Sequence, residues 1–146
     1  MLKLSKKADY GLIALRHLAV NYGHGECSAA DISGKYGIPS HLMAKVLQRL
    51  ARKGLVKAKH GSAGGYALAK DPGSISVLDA ISAIDGPQAI TACMSHGDCV
   101  QNDLCSVREP LHQLNESIMK LLAAMKISQM TGPHGPRNVV VELKAS

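Results

Sequence analysis

The stretch SHLMAKVLQRLARKGLVKAKHGSAGGYALA, residues 40–69, changes its hydrophobic period part-way along. Pro39-Ser40 opens a helix to about Lys53, in which Leu42, Val46 and Leu50 share one face while Lys45, Arg49 and Arg52 share another. Such a helix keeps one side for a core and one for phosphate. Gly54 stops it. Leu55 to Lys59 then alternates apolar and basic residues, as a half-buried strand does, and Tyr66 to Ala69 forms a second strand. The run His60-Gly61-Ser62-Ala63-Gly64-Gly65 between them is rich in turn formers, so the stretch reads as a helix followed by a β-hairpin.

Upstream, Ser5 caps a helix to about Tyr22 with Ala8, Leu12, Leu15, Ala19 and Tyr22 in one apolar stripe. Ser28 and Asp31 imitate a capping box for a short helix ending near Tyr36, and Gly37 supplies a tight turn. Downstream, Asp71-Pro72-Gly73 turns the chain, and Ser76 caps a helix carrying Val77, Leu78, Ile81 and Ile84. Helix, helix, turn, helix and hairpin is the order of a winged helix-turn-helix, whose third helix enters the major groove while the hairpin approaches the backbone or minor groove. The rival reading, a structural α+β domain with a decorative hairpin, loses because the basic residues concentrate on the third helix and the hairpin. DNA contacts are accordingly expected from Ser40, His41, Lys45, Gln48 and Arg49 of the third helix and from Lys59, His60 and Ser62 of the hairpin.

Further on, a helix begins at Ser106, which makes a capping box with Glu109 and tolerates Pro110 in its first turn, and Val107, Leu111, Leu114, Ile118, Leu121 and Met125 follow at four-three spacing. A helix with one narrow seam suits its own copy across a two-fold axis, or else the first helix of the same chain. The expected fold class is mostly α with a small β-hairpin: a winged helix-turn-helix with a long C-terminal dimerisation helix. The divisions are a DNA-binding domain at 1–86, a cysteine-rich loop at 87–105, the dimerisation helix at 106–130 and an unstructured extension at 131–146.

Composition agrees. The chain has 146 residues, 46% of them hydrophobic and 19% charged, which is globular composition for one domain or a domain with an oligomerisation arm. No apolar run approaches the roughly 18 residues of a membrane helix, and Met1 to Tyr10 is too polar for a secretory signal, so a cytoplasmic protein without a membrane partner is expected. Residues 1–60 hold eleven Lys and Arg against three acids, whereas residues 61–146 hold six against eight. A basic N-terminal half is the electrostatic footprint of nucleic-acid binding.

Three of the four cysteines, Cys93, Cys99 and Cys105, lie six residues apart in a stretch without period. On a helix each step of six turns the side chain by roughly 240°, so they converge only in a loop wrapped around something. In a cytoplasmic chain three clustered thiols read as metal ligands, and soft thiolates select zinc, copper(I) or an iron–sulfur cluster. Cys27 stands apart and reads as a structural thiol.

Three features taken together, the start Leu4-Ser5-Lys6-Lys7-Ala8-Asp9-Tyr10, the hairpin tip His60-Gly61-Ser62-Ala63-Gly64-Gly65-Tyr66 and Cys93-x5-Cys99-x5-Cys105 before a long helix, resemble the Rrf2 family of iron–sulfur transcription regulators over about residues 1–130. The resemblance implies a homodimer that binds a pseudo-palindromic operator in double-stranded DNA, with a cluster held by the three cysteines and a fourth ligand. One branch of the family places a His three residues beyond the last cysteine. Here that position is Arg108, which cannot ligate, so the cluster chemistry need not be that of this branch. Asp9 aligns with an acidic ligand that another branch takes from the first helix of the partner, and it leads His96, Glu109 and His112 as fourth-ligand candidate. Read instead as a helix carboxylate, Asp9 complements the macrodipole. Three thiolates and one oxygen donor favour a labile [4Fe–4S] sensor, with [2Fe–2S] as the alternative. The family commonly has Arg at the position of His60, which implies weaker or pH-sensitive hairpin contacts.

The function expected is a dimeric transcriptional regulator, a repressor, whose operator affinity follows an iron–sulfur cluster. It would sense cluster status, redox or nitric oxide and control cluster-assembly genes. The alternative is a constitutive DNA-binding protein with structural zinc on Cys93, Cys99, Cys105 and His96. A thiol redox enzyme ranks last: the sequence has no CxxC and no cofactor loop, so no catalysis is expected.

Overall fold

The computed structural model describes residues 3–91, 93–94 and 103–132. Among them the elements run α1 (Lys6–Val20), α2 (Ala29–Tyr36), α3 (Ser40–Arg52), β1 (Val56–Lys59), β2 (Gly65–Leu68), α4 (Val77–Asp85) and α5 (Arg108–Ala124), with 3-10 turns at Pro72–Ser74 and Ile127–Met130. The architecture is mostly helical with an antiparallel hairpin, a winged helix-turn-helix followed by a long helix. Local chemistry sets most boundaries. The Ser5 hydroxyl accepts the Ala8 N–H, Ser28 and Asp31 form a complete capping box, and Ser76 and Asp79 form another. Gly37 ends α2 at φ +64°, a left-handed conformation that glycine adopts without strain.

The core is aliphatic, with Leu15, Ile32, Met43, Leu47, Leu50 and Ile75 fully buried. α1 lies at its centre, against α3, α4, β2 and the Ile127–Met130 turn. It is therefore buried more widely than the expected stripe: Gly11, Ala14 and Leu18 are covered too, whereas the helix stops at Val20 and leaves Tyr22 exposed. In α3 the buried residues are Met43, Val46, Leu47 and Leu50, with Leu42 half-buried. This helix packs on α1, α2, α4 and β1 at once, so two adjacent faces are covered rather than one stripe.

In the hairpin Val56 pairs with Leu68 and Lys59 with Gly65. Cys27 extends it as a bridge, exchanging N–H···O bonds of 2.9 and 2.8 Å with Tyr66. A Cβ on Gly65 would lie 2.7 Å from the Cys27 carbonyl oxygen, and one on Gly64 would fall on the Lys59 carbonyl. Glycine is what lets this tip close on the helix-turn-helix.

The expected capping box at Ser106 is absent. α5 begins at Arg108 with Val107 at the cap, and the Glu109 carboxylate accepts from Gln113 instead. Pro110 explains the shift. Were Ser106 the cap, residue 110 would have to donate the first intrahelical bond, which proline cannot do; one residue later, Leu111 donates it to Val107 at 3.0 Å. The helix rests on α4 rather than α1, and none of its residues is buried. After Ala124 the chain turns back. Val77 N–H donates to Met125 and Ile127 N–H to Ile75, both at 2.9 Å, the Arg16 guanidinium donates to the Met130 carbonyl, and Ile127 is fully buried in the core. Residues 133–146, most of the expected extension, lie outside the described residues.

One buried histidine couples stability to pH. His17 Nδ1 is 3.1 Å from the Tyr36 hydroxyl across the α1–α2 contact, with the rings edge to face. Burial lowers its pKa below the ordinary 6.5, Lys35 and Arg16 lower it further, and Asp31 opposes them. The unfolded chain then binds the extra proton as pH falls below about 6.5, so stability is full above that pH and declines beneath it. Thermal melts between pH 7.5 and pH 5 should show this fall, and His17→Gln, which keeps a partner for Tyr36, should flatten it.

Candidate functional site

α3 carries the first half of the site. Ser40, His41, Lys45, Gln48 and Arg49 are all exposed along it, opposite the buried face. Ser40 Oγ is 3.3 Å from Ser33 Oγ, which ties the start of α3 to α2. Arg49 Nη1 donates to the Ile84 carbonyl at 2.8 Å, so the last turn of α4 holds its guanidinium. Beside that bond Asp85 accepts from the Ser5 hydroxyl at 2.6 Å, joining α4 to the start of α1. At the other end of the surface, His60 and Ser62 stand exposed on the hairpin tip. Lys59 Nζ is 3.6 Å from Glu26, an acid to which the sequence reading assigned nothing. Among the described residues the ion pairs are Lys6–Asp9, Lys59–Glu26 and His112–Glu116, so the cations of α3 face outward without an acid to neutralise them. Lys7 of α1 joins the same surface, lining a concavity with Lys45, Gln48, Arg49 and Arg52. Its position near α3 has no local signal in the sequence, because it comes from the α1–α3 packing.

The thiols form the second half. Cys93 is half-buried with Sγ 3.1 Å from Thr91 Oγ1. Cys105, also half-buried, opens onto a groove over the first turns of α5 lined by Arg108, Glu109, His112, Gln113 and Glu116. The structure thus brings Cys105 together with Glu109 and His112. Asp9 lies elsewhere, exposed in the first turn of α1 and 3.6 Å from Lys6. Cys99 and His96 fall outside the described residues. Among the described residues, no three His, Cys, Asp or Glu side chains gather as a metal site. The segment before the cysteines is tied to α5 by the Ile90 N–H, which donates to the Asn115 side chain at 3.0 Å. Cys27 fits its structural reading: its backbone holds the hairpin, and burial, then Asp31, pushes its thiol pKa up, away from the reactive thiolate.

Residues 4–133 match the model of the family Rrf2, described as an iron-dependent transcriptional regulator. The chain belongs to the Rrf2 family. It is similar to the HTH-type transcriptional regulator IscR of Klebsiella pneumoniae, with 33% identity over 129 residues, 88% of this chain and 79% of the relative. Its fold is similar to that of CymR, the global cysteine regulator of B. subtilis, with a TM-score of 0.78, 26% identity, and coverage of 90% and 97% of the two chains. The IscR of T. potens matches with a TM-score of 0.70 and 27% identity, over 88% of this chain and 85% of the other. As an Rrf2 protein the chain is a DNA-binding transcription regulator, which accounts for a helix-turn-helix that presents unneutralised cations. Among the described residues no helix is long and apolar enough to cross a membrane.

Proposed function

We propose that this Rrf2 protein represses transcription in the cytoplasm as a homodimer on a pseudo-palindromic operator, with its affinity set by an iron–sulfur cluster. It performs no catalysis and controls cluster-assembly genes in response to cluster status, redox or nitric oxide. The observation that carries DNA recognition is the polar face of α3, exposed from Ser40 to Arg49 and free of acids among the described residues. Base edges are read by Ser40, His41 and Gln48, and phosphates are held by Lys45 and Arg49. The hairpin adds Lys59, His60 and Ser62. The dimer is supported by Val107 at the cap of α5 and by Leu114 and Leu121 within it, which stand exposed by 52, 50 and 40% at seven-residue intervals.

The donor chemistry of the cysteine segment fits a cluster. Cys93 and Cys105 are half-sheltered thiols on either side of Cys99, and all three are soft donors. Asp9 of the partner subunit supplies the fourth ligand. Its exposure and its single, weak surface pairing with Lys6 leave it available. Glu109 and His112, which share the groove of Cys105, are the candidates within one chain, with His96 a third. When bound, a cluster supplies a group sensitive to oxidant and to iron supply, of the [4Fe–4S] type with [2Fe–2S] as alternative. The protein's part is linkage: whatever favours one arrangement of the cysteine segment, α5 and the winged helix shifts DNA affinity by the same coupling energy.

A broad brown absorption from anaerobically purified protein supports this reading. A colourless preparation with stoichiometric zinc sinks it in favour of a constitutive DNA binder. The likeness to CymR, a cysteine regulator by its description, supports a second reading in which thiol chemistry sets DNA affinity without metal. That reading requires a colourless, metal-free protein whose DNA affinity changes with thiol oxidation.

Lys45→Ala should weaken binding to all duplexes and reduce the slope of log Kobs against log salt by about one unit. An unchanged slope in a salt titration would take Lys45 off the DNA.

A further inference from the structure

The two lysines that open α1 have different surroundings. Lys6 lies 3.6 Å from Asp9, with its ammonium over the Tyr10 ring. Lys7 has no ion pair among the described residues, and it lines the concavity whose other walls are Lys45, Val46, Gln48, Arg49 and Arg52 of α3. Four cations line this one concavity, and no acid does. Two features of the fold bring them together. Gly11 lets α1 close on its neighbours: a Cβ there would sit 3.2 Å from Ile84 Cγ1 and 3.8 Å from Val46 Cγ1. Arg49, in turn, is held by the Ile84 carbonyl at 2.8 Å. A guanidinium fixed before its ligand arrives loses less freedom on binding than a loose one.

Resting on the DNA reading above, we infer that this concavity is a seat for the backbone phosphates of duplex DNA, in which Lys7 of α1 and Arg52 of α3 bind alongside Lys45 and Arg49. Mutual repulsion among four cations is relieved by a polyanion. From Lys45 to Arg52 the helix advances about 10 Å, enough to follow one strand beside the groove that α3 enters. Lys7 approaches from the neighbouring helix and grips the same strand from a second side.

The test is equilibrium binding of the full chain over a salt series to two duplexes, one enriched from a randomised pool by the wild-type protein and one of random sequence. Lys7 and Arg52 are both exposed, so Lys7→Ala and Arg52→Ala should keep the wild-type circular dichroism and melting point. Each should weaken both duplexes by a similar factor and reduce the slope of log Kobs against log salt by about one unit, and Lys7→Arg should restore it. Wild-type slopes in both alanine variants would overturn the seat, while a Lys45→Ala loss in the same series would leave the DNA reading standing. A loss confined to the enriched duplex would make Lys7 a base contact and likewise overturn the seat. Wild-type protein that binds neither duplex in a salt-dependent way would overturn both.

Discussion

Leu114→Glu and Leu121→Glu should each convert the protein to a monomer and weaken operator binding by about a hundredfold or more, because two linked half-site contacts become two separate ones. In a two-fold dimer each substitution acts twice, and each carboxylate would have to be desolvated close to its own symmetry copy. The protomer itself should be spared. No residue of α5 is buried, and Leu114 and Leu121 are exposed by 50 and 40%, so the monomers should keep the wild-type helical circular dichroism. Light scattering and operator titration at matched concentrations check both halves of the expectation. A dimeric mass for both variants would place the interface elsewhere, whereas a monomer with undiminished affinity would refute operator binding by a dimer.

Ile127→Ala should destabilise the fold by about 2–5 kcal/mol, the usual cost of truncating a fully buried isoleucine and leaving its cavity. At this chain length that is a melting shift of roughly 4–20 °C. The effect is large because Ile127 is not the end of an arm. It is inserted into the core, with its N–H bonded to Ile75 and its neighbouring turn held by Arg16. The bonds of Met125 to Val77 and of Ile127 to Ile75 should loosen together, so amide exchange at Val77 and Ile127 should quicken with the melting shift. A loss below about 1 kcal/mol would mean that the 125–131 segment contributes little to the core.

Much of the fold was legible because its signals are local. A capping serine, a turn glycine or an apolar repeat acts within one helical turn, so Ser5, Ser28 with Asp31, Gly37 and Ser76 mark their helices whatever packs around them. The change of period at Gly54 separates α3 from the hairpin for the same reason. Where two local signals compete, the one that is costlier to violate decides. Ser106 and Glu109 have the spacing of a cap, but the missing N–H of Pro110 moves the helix start to Arg108.

For the site, residue types and spacing were enough to nominate the outward residues of α3, the hairpin tip and the three cysteines, since a polar position on an amphipathic helix and a repeated thiol are visible without partners. The sequence by itself thus determined the order of elements, the family and the chemistry available on each element. The tertiary structure alone decided which distant groups meet: Arg49 with Ile84, Ser5 with Asp85, Cys27 with Tyr66, Lys59 with Glu26, Lys7 with the α3 cations, and Ile127 with the core. The reason is physical. Caps and periodicity cost or gain free energy within a few residues, whereas these contacts depend on how helices cross and how closely Gly11 or Gly65 lets them approach, quantities set by the whole packed core and by no single segment of the chain.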